Sequence, residues 1–313
     1  MAKATRVEFG WRVADFPTDG SDGTAFLRQI TDTLDLIHGR FDAAWIADHV
    51  IPWASWQSPQ TPAIECWTSL AFLGARYPQL TWGTIVLCQS NRNPTLLAKM
   101  AANFCAFLPG KFVFGIGAGW KEDEYRSYNW EFPRPAVRIK QLEEAVEIAE
   151  LLWTADDVTY EGQHYRVRNA YLDPKPDPLP PILIGGSGEQ LTLRVVAKHA
   201  DWWNGGGTLE SYTHKLDVLR GHCEAVGRDF GTITKTWGCD AVAIADTEAE
   251  AQQLAGSSPY YSTTGLIGTP EQVIAQIRGW ADLGVSHFHL RFADFPKTDG
   301  IRRFMDEVMP YFA

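Results

Sequence analysis

The 313-residue chain has no run of roughly 18 consecutive apolar residues, the length a membrane-spanning helix needs. It is short of positive charge: 28 Lys and Arg stand against 38 Asp and Glu, a formal net charge of −10. Such a surface repels phosphate backbones and argues against nucleic acid as a partner. Cysteine is scarce, odd in number and widely spaced (Cys66, Cys88, Cys105, Cys223, Cys239). That pattern reads as reduced, buried thiols of a cytoplasmic protein, not as a disulfide framework. Residues 1–5 run straight into a strand-like segment, with no apolar signal-peptide core between. There is no Gly-x-Ser-x-Gly elbow, and no cysteine sits in a nucleophile setting.

What is present is globular. Hydrophobic residues make up 45% and charged residues 21%, and Trp is abundant at 13, which suits an aromatic-lined cleft for a planar ligand. Strand-like runs and amphipathic segments alternate along the whole length. Strands are expected at 7–13, 43–50, 81–88, 112–119, 181–185, 201–204, 233–245 and 286–292. Helices are expected at 24–38, 64–76, 95–107, 137–153, 189–199, 209–226, 270–283 and 301–312. A polar stretch with Pro174, Pro176, Pro178 and Pro180 interrupts at 154–181 and reads as a loop or small β excursion. Eight β-then-α units with hydrophobic strands imply a parallel sheet closed into a (β/α)8 TIM barrel, one domain over 1–313 with insertions at the C-terminal face. An open doubly wound sheet is the alternative.

In such a barrel, function sits at the C-terminal strand ends. Strand two ends in Asp48-His49, a carboxylate and an imidazole able to serve as an acid/base pair, or simply a histidine bonded at the rim. Strand four ends in Gly115-Ile116-Gly117-Ala118-Gly119-Trp120, which lets a ligand approach the backbone. It lacks the spacing and helix context of a dinucleotide fingerprint. Strand five ends in Gly186-Ser187-Gly188 and passes into a helix, a phosphate cradle of bare amides or a tight turn, with Gly206 as a neighbouring wall. Strand eight alternates, so His287, His289 and Arg291 point into the barrel and Phe288, Leu290 and Phe292 face the helices. His-x-His invites a metal, but strand one offers only Glu8 and Arg12 as polar residues, so no metal is expected.

Four segments in order, WIADHVIPW, TWGTIVLCQSNRNP, FVFGIGAGWKEDEYRSYNWEFPRP and PPILIGGSGEQLTLRVVAKHADWWN, resemble the luciferase-like superfamily, and most its deazaflavin (coenzyme F420)-dependent branch. The resemblance implies an oxidoreductase with His49 as proton donor or acceptor beside the deazaflavin, supported by Asp48. Trp53 then shapes the substrate pocket, with Trp120 and Arg291 alongside. A non-proline cis peptide is implied near Ile85-Val86 behind the ring. Gly117 and Gly119 lie by the cofactor, and its phosphate is held by Ser187 and Gly188, with Gly186 and Gly206 nearby. Members that oxidise sugar phosphates carry a glutamate where this chain has Trp120, which favours a more apolar substrate. FMN, in a reduced-FMN monooxygenase using dioxygen, is the alternative cofactor. A non-catalytic flavin-binding barrel and a metal hydrolase are further rivals, and a homodimer is the expected assembly.

Overall fold

Strands buried on both faces need helices on one side and filled space on the other, and the computed structural model shows that arrangement. It describes residues 6–260 and 264–312; the N-terminal segment 1–5 read above lies outside them. Eight parallel strands form the barrel: β1 Glu8–Arg12, β2 Ala43–Ile46, β3 Thr81–Thr84, β4 Phe112–Gly117, β5 Ile182–Gly185, β6 Trp202–Gly205, β7 Thr234–Gly238 and β8 Val285–Leu290. They pair in the order β3-β2-β1-β8-β7-β6-β5-β4, and a β3–β4 pairing (Trp82 opposite Phe112) closes the ring. The open-sheet alternative is thereby excluded. First and last strands lie in register, Glu8 beside His287 and Gly10 beside His289.

The helices are α1 Gly23–Ile37, α2 Cys66–Arg76, α3 Pro94–Phe107, α4 Glu122–Ser127, α5 Pro135–Thr154, α6 Thr192–His199, α7 Leu209–Val226, α8 Glu248–Ser257, α9 Pro270–Asp282 and α10 Asp299–Arg303. The periodicity read from the sequence is the buried face. Phe26, Ile30, Leu34 and Ile37 of α1 are covered by the barrel wall, as are Leu142, Val146, Ala149 and Leu152 of α5. Local chemistry sets the starts: the Asp22 carboxylate accepts from the amide of Ala25, and Thr269 and Gln272 form a capping box on α9. No helix of the described residues is long and apolar enough to cross a membrane.

Three expected elements divide. The third strand breaks at a cis Ile85-Val86 peptide bond, where the resemblance implied one, and resumes at Leu87–Cys88 beside β4. The expected strand 233–245 ends as β7 at Gly238. Its second half, Ala241–Ile244, leaves the ring and pairs with Gly265–Gly268, with α8 between them. The closing helix ends at Arg303, widens into a π turn at Phe304–Val308 and tightens at Met309–Tyr311, where Pro310 has no N–H to continue it. The Pro-rich stretch holds an antiparallel pair, Val158–Glu161 with Arg166–Ala170. Buried Glu144 of α5 ties down its turn by accepting the amides of Gln163, His164 and Tyr165.

Trp45 of β2 plugs the barrel. It is fully buried, and a Cβ at either Gly10 or Gly83 would strike its indole, so both strands must be bare there. The rings of Trp202, His287 and His289 pack around it. This layer is the floor of the C-terminal mouth.

Candidate active site

The chain leaves β2 at Ile46 and carries Asp48 and His49 over the mouth. His49 Nδ1 lies 3.0 Å from Oε2 of Glu124 on α4, whose Oε1 also accepts the backbone N–H of Val50 (2.5 Å) and Ile51 (3.2 Å). A carboxylate accepting two amides acts as an acceptor towards the ring as well, so Nδ1 carries the hydrogen and donates. Nε2 is left as the atom that can take up or give a proton. The indole of Trp120 stands edge-on to the imidazole, centroids 5.6 Å apart. The six residues of α4 begin with Glu122, Asp123 and Glu124, negative charge where the helix N-terminus favours it.

Asp48 makes no hydrogen bond to the imidazole of His49 among the described residues. Its carboxylate accepts both terminal nitrogens of Arg92 (2.7 and 3.0 Å), the amide of Cys88 (3.0 Å) and Asn91 Nδ2 (3.2 Å). Arg92 also holds Glu65, the cap of α2. Asp48 is buried within this knot. It fixes the backbone from which His49 projects, whereas Glu124 holds the ring.

Ile85, Val86 and Gly119 line a cavity of about 370 Å³ at the mouth, together with Asp48, His49, Trp53, Trp120, Gly186 and Arg291. A second cavity of about 250 Å³ adjoins it, sharing Val86, Gly119, Trp120 and Gly186 and adding Gly117. Val86 stands between β4 and β5 because both are bare beside it. A Cβ at Gly117 would come within 2.7 Å of its Cγ2, and one at Gly185 within 2.8 Å of Cγ1. The strand-four and strand-five glycines therefore make room first for Val86 and through it for the cavity floor. Ser187, Gly188 and Gly206 are exposed and line neither cavity. The Ser187 and Gly188 amides lie beyond Gly186 (φ +130°) and have no partner among the described residues.

The wall opposite His49 is aromatic. Trp53 donates its indole N–H to Asp15 at 2.8 Å and packs on Phe16 and Tyr260. Arg291 lies over the rings of both Trp53 and Tyr260, 5.2 and 4.4 Å from their centroids. Below, His287 Nε2 accepts from Trp45 Nε1 at 3.1 Å, while both ring nitrogens of His289 are buried without a partner. Burial foremost, then the charge of His287 and Arg12, pushes His289 far below the usual histidine range. It stays neutral.

The cysteines are free thiols, four of them buried; Cys88 lines the cavity with its Sγ 2.9 Å from the hydroxyl of Tyr125. Burial pushes that thiol up, which leaves it no thiolate character. The strand-eight histidines belong to no three-ligand group. Among the described residues that geometry occurs at Glu143, Glu147 and His199 on the outer helices, where Lys140 and Lys198 already hold Glu143.

Sequence reasoning missed Glu124 because no element was expected between 119 and 137, so nothing marked which of three neighbouring acids would turn inward. It also left Arg12 unconnected to the mouth, although Arg12 and Arg291 line the cavity together.

Comparison with known proteins finds relatives over most of the chain. Residues 19–264 match the profile of the family described as luciferase-like monooxygenase. An F420-dependent glucose-6-phosphate dehydrogenase of Microbacterium testaceum is 28% identical over 302 residues, covering 86% of this chain and 88% of its own length. Among solved structures, an F420-dependent secondary alcohol dehydrogenase in complex with an F420-acetone adduct superposes with a TM-score of 0.82 at 18% identity, covering 98% of this chain and 99% of its own. Monooxygenase RslO1 from Streptomyces bottropensis does so with a TM-score of 0.79 at 20% identity, covering 98% and 100%. With its profile matched over most of its length and its barrel shared with these enzymes, the chain belongs to the luciferase-like monooxygenase family.

Proposed function

We propose that this oxidoreductase exchanges a hydride between coenzyme F420 and a small organic substrate at the barrel mouth, with His49 as proton donor or acceptor. The observation that carries the reading is the state of His49: Nδ1 is pinned by Glu124 and Nε2 is left at a cavity floored by Val86. When bound, the deazaflavin supplies a ring carbon that accepts or releases hydride. The residues present fit it. A slot over Ile85 and Val86 suits a planar ring, and the adjoining cavity past Gly117 and Gly119 leads to Gly186. The partnerless amides of Ser187 and Gly188, with Gly206 beside them, suit an anionic arm. Trp53, Trp120 and Arg291 bound the substrate side. Glu124 keeps the imidazole in one tautomer, so proton transfer is confined to Nε2. Relatives named as F420-dependent dehydrogenases support this choice of cofactor.

The family description favours a second reading, a reduced-FMN monooxygenase. Anaerobic titration with F420 and with FMN, read by tryptophan quenching, separates the two. Tighter binding of F420 is expected. Oxygen-coupled turnover with reduced FMN, together with no F420 binding, would overturn the proposal.

A further inference from the structure

Two guanidinium groups lie under the aromatic wall, Arg12 at the end of β1 and Arg291 just past β8, on strands that become neighbours only through barrel closure. Both line the cavity that contains His49, and their side chains are 18% and 4% exposed. A guanidinium has a fork of N–H donors and no acceptor, so burial demands oxygen around it. Here that demand is unmet. Among the described residues the one direct side-chain hydrogen bond from the pair is Arg291 Nη2 to Asp15 Oδ2 at 3.5 Å, the outer limit of such a bond. Arg12 makes none within the described residues, and the Nε of each is buried without a partner.

The acids nearby balance the charge without filling the donors. Asp15 Oδ2 is already engaged by Trp53 Nε1, and Asp240 Oδ1 stands 3.9 Å from Arg12 Nη1. Burial and then the positive charge of Arg291 bring Arg12 down to about 10. Such a pair costs the fold unless something oxygen-rich and negative completes it. The Ser187 and Gly188 amides cannot share that occupant, because neither residue lines this cavity.

We infer that Arg12 and Arg291 receive an oxyanion group of the substrate, a carboxylate or a phosphate ester, whose apolar body rests on Trp53 and Trp120 beside His49. This deepens the proposed function and rests on its reading of the mouth as the substrate site. It also amends the expectation of an apolar substrate: the aromatic wall takes an apolar body, and the guanidinium pair takes a charged end.

The test titrates inorganic phosphate and acetate, each at low ionic strength, into enzyme saturated with oxidised F420, so that the amides at 187 and 188 are already engaged. Calorimetry should show one saturable site per chain. Affinity should fall about tenfold or more in Arg12→Gln and in Arg291→Gln, and several-fold in Arg12→Lys, which lacks the planar fork. Preference for phosphate assigns a phosphate ester, and preference for acetate a carboxylate. Circular dichroism and F420 affinity, held within about twofold, report that each variant is intact. Where a variant fails to fold, wild-type crystals soaked in phosphate decide: density between the two guanidiniums supports the inference, and density at the 187–188 amides alone overturns it. No saturable binding to wild type, or equal binding in every variant, also overturns it. Failure of F420 to bind sinks the cofactor reading separately, and the same anion titration on apoenzyme still judges the arginines.

Discussion

The two flanks of the barrel mouth use the same residue types in opposite ways. On the β2 flank, Asp48, Arg92 and Glu65 interlock, and Glu124 accepts three N–H donors. On the β1/β8 flank, Arg12 and Arg291 lie beside Asp15 and Asp240 with most of their donors unfilled. The β2 flank carries the excess of carboxylates, yet what separates the flanks chemically is hydrogen-bond completion. A finished network is scaffolding, and an unfinished one in a cavity awaits a ligand.

The comparison is sharpened most by His49. His49→Ala should cut kcat by about 10² to 10⁴ while F420 affinity holds, measured by deazaflavin absorbance in single-turnover mixing. Unchanged turnover would remove His49 from the chemistry. Glu124→Gln should lower kcat by about 10² through a loosened imidazole, with little loss of stability. Asp48→Asn should do the reverse, since a half-charged knot around the largely buried Arg92 costs about 3 kcal/mol in urea unfolding while kcat persists. If Asp48→Asn instead abolished turnover at full stability, the distinction between the two carboxylates would break.

The smallest effect lies at the far end of the barrel. His287 donates to Glu8 and holds that carboxyl below its ordinary value of 4.5. A depressed acid stabilises the fold above its unfolded-state value, and that contribution disappears as pH falls through the folded-state value. Glu8→Gln should therefore lower the urea midpoint slightly at neutral pH and by less in acid. An equal loss at both would mean that packing, not charge, is responsible.

The eight-unit alternation was legible because each strand is a short apolar run and each helix buries the face its periodicity marks. The apolar pattern alone reads strand three as continuous over 81–88, since Ile85 and Val86 are ordinary strand residues, and only the resemblance marks the cis bond; the room Val86 takes there is left by Gly117 and Gly185 across the sheet. The second half of 233–245 has strand composition and is a strand, but its partner, Gly265–Gly268, gave no sign of itself. The rule that strand ends gather at one mouth brings His49, Gly119 and Arg291 to one cavity, whereas Trp53 and Val86 were implied there only by the family resemblance. Glu124 and Arg12 escaped for different reasons. The inward turn of Glu124 depends on the phase of a six-residue helix, and the proximity of Arg12 to Arg291 exists only once the first strand meets the last.

Trp45 has a consequence for the interior of the barrel. It stands between the mouth and the lower cavity beside Glu8 and His287. A single indole thereby divides the barrel interior into two compartments that share no wall residue.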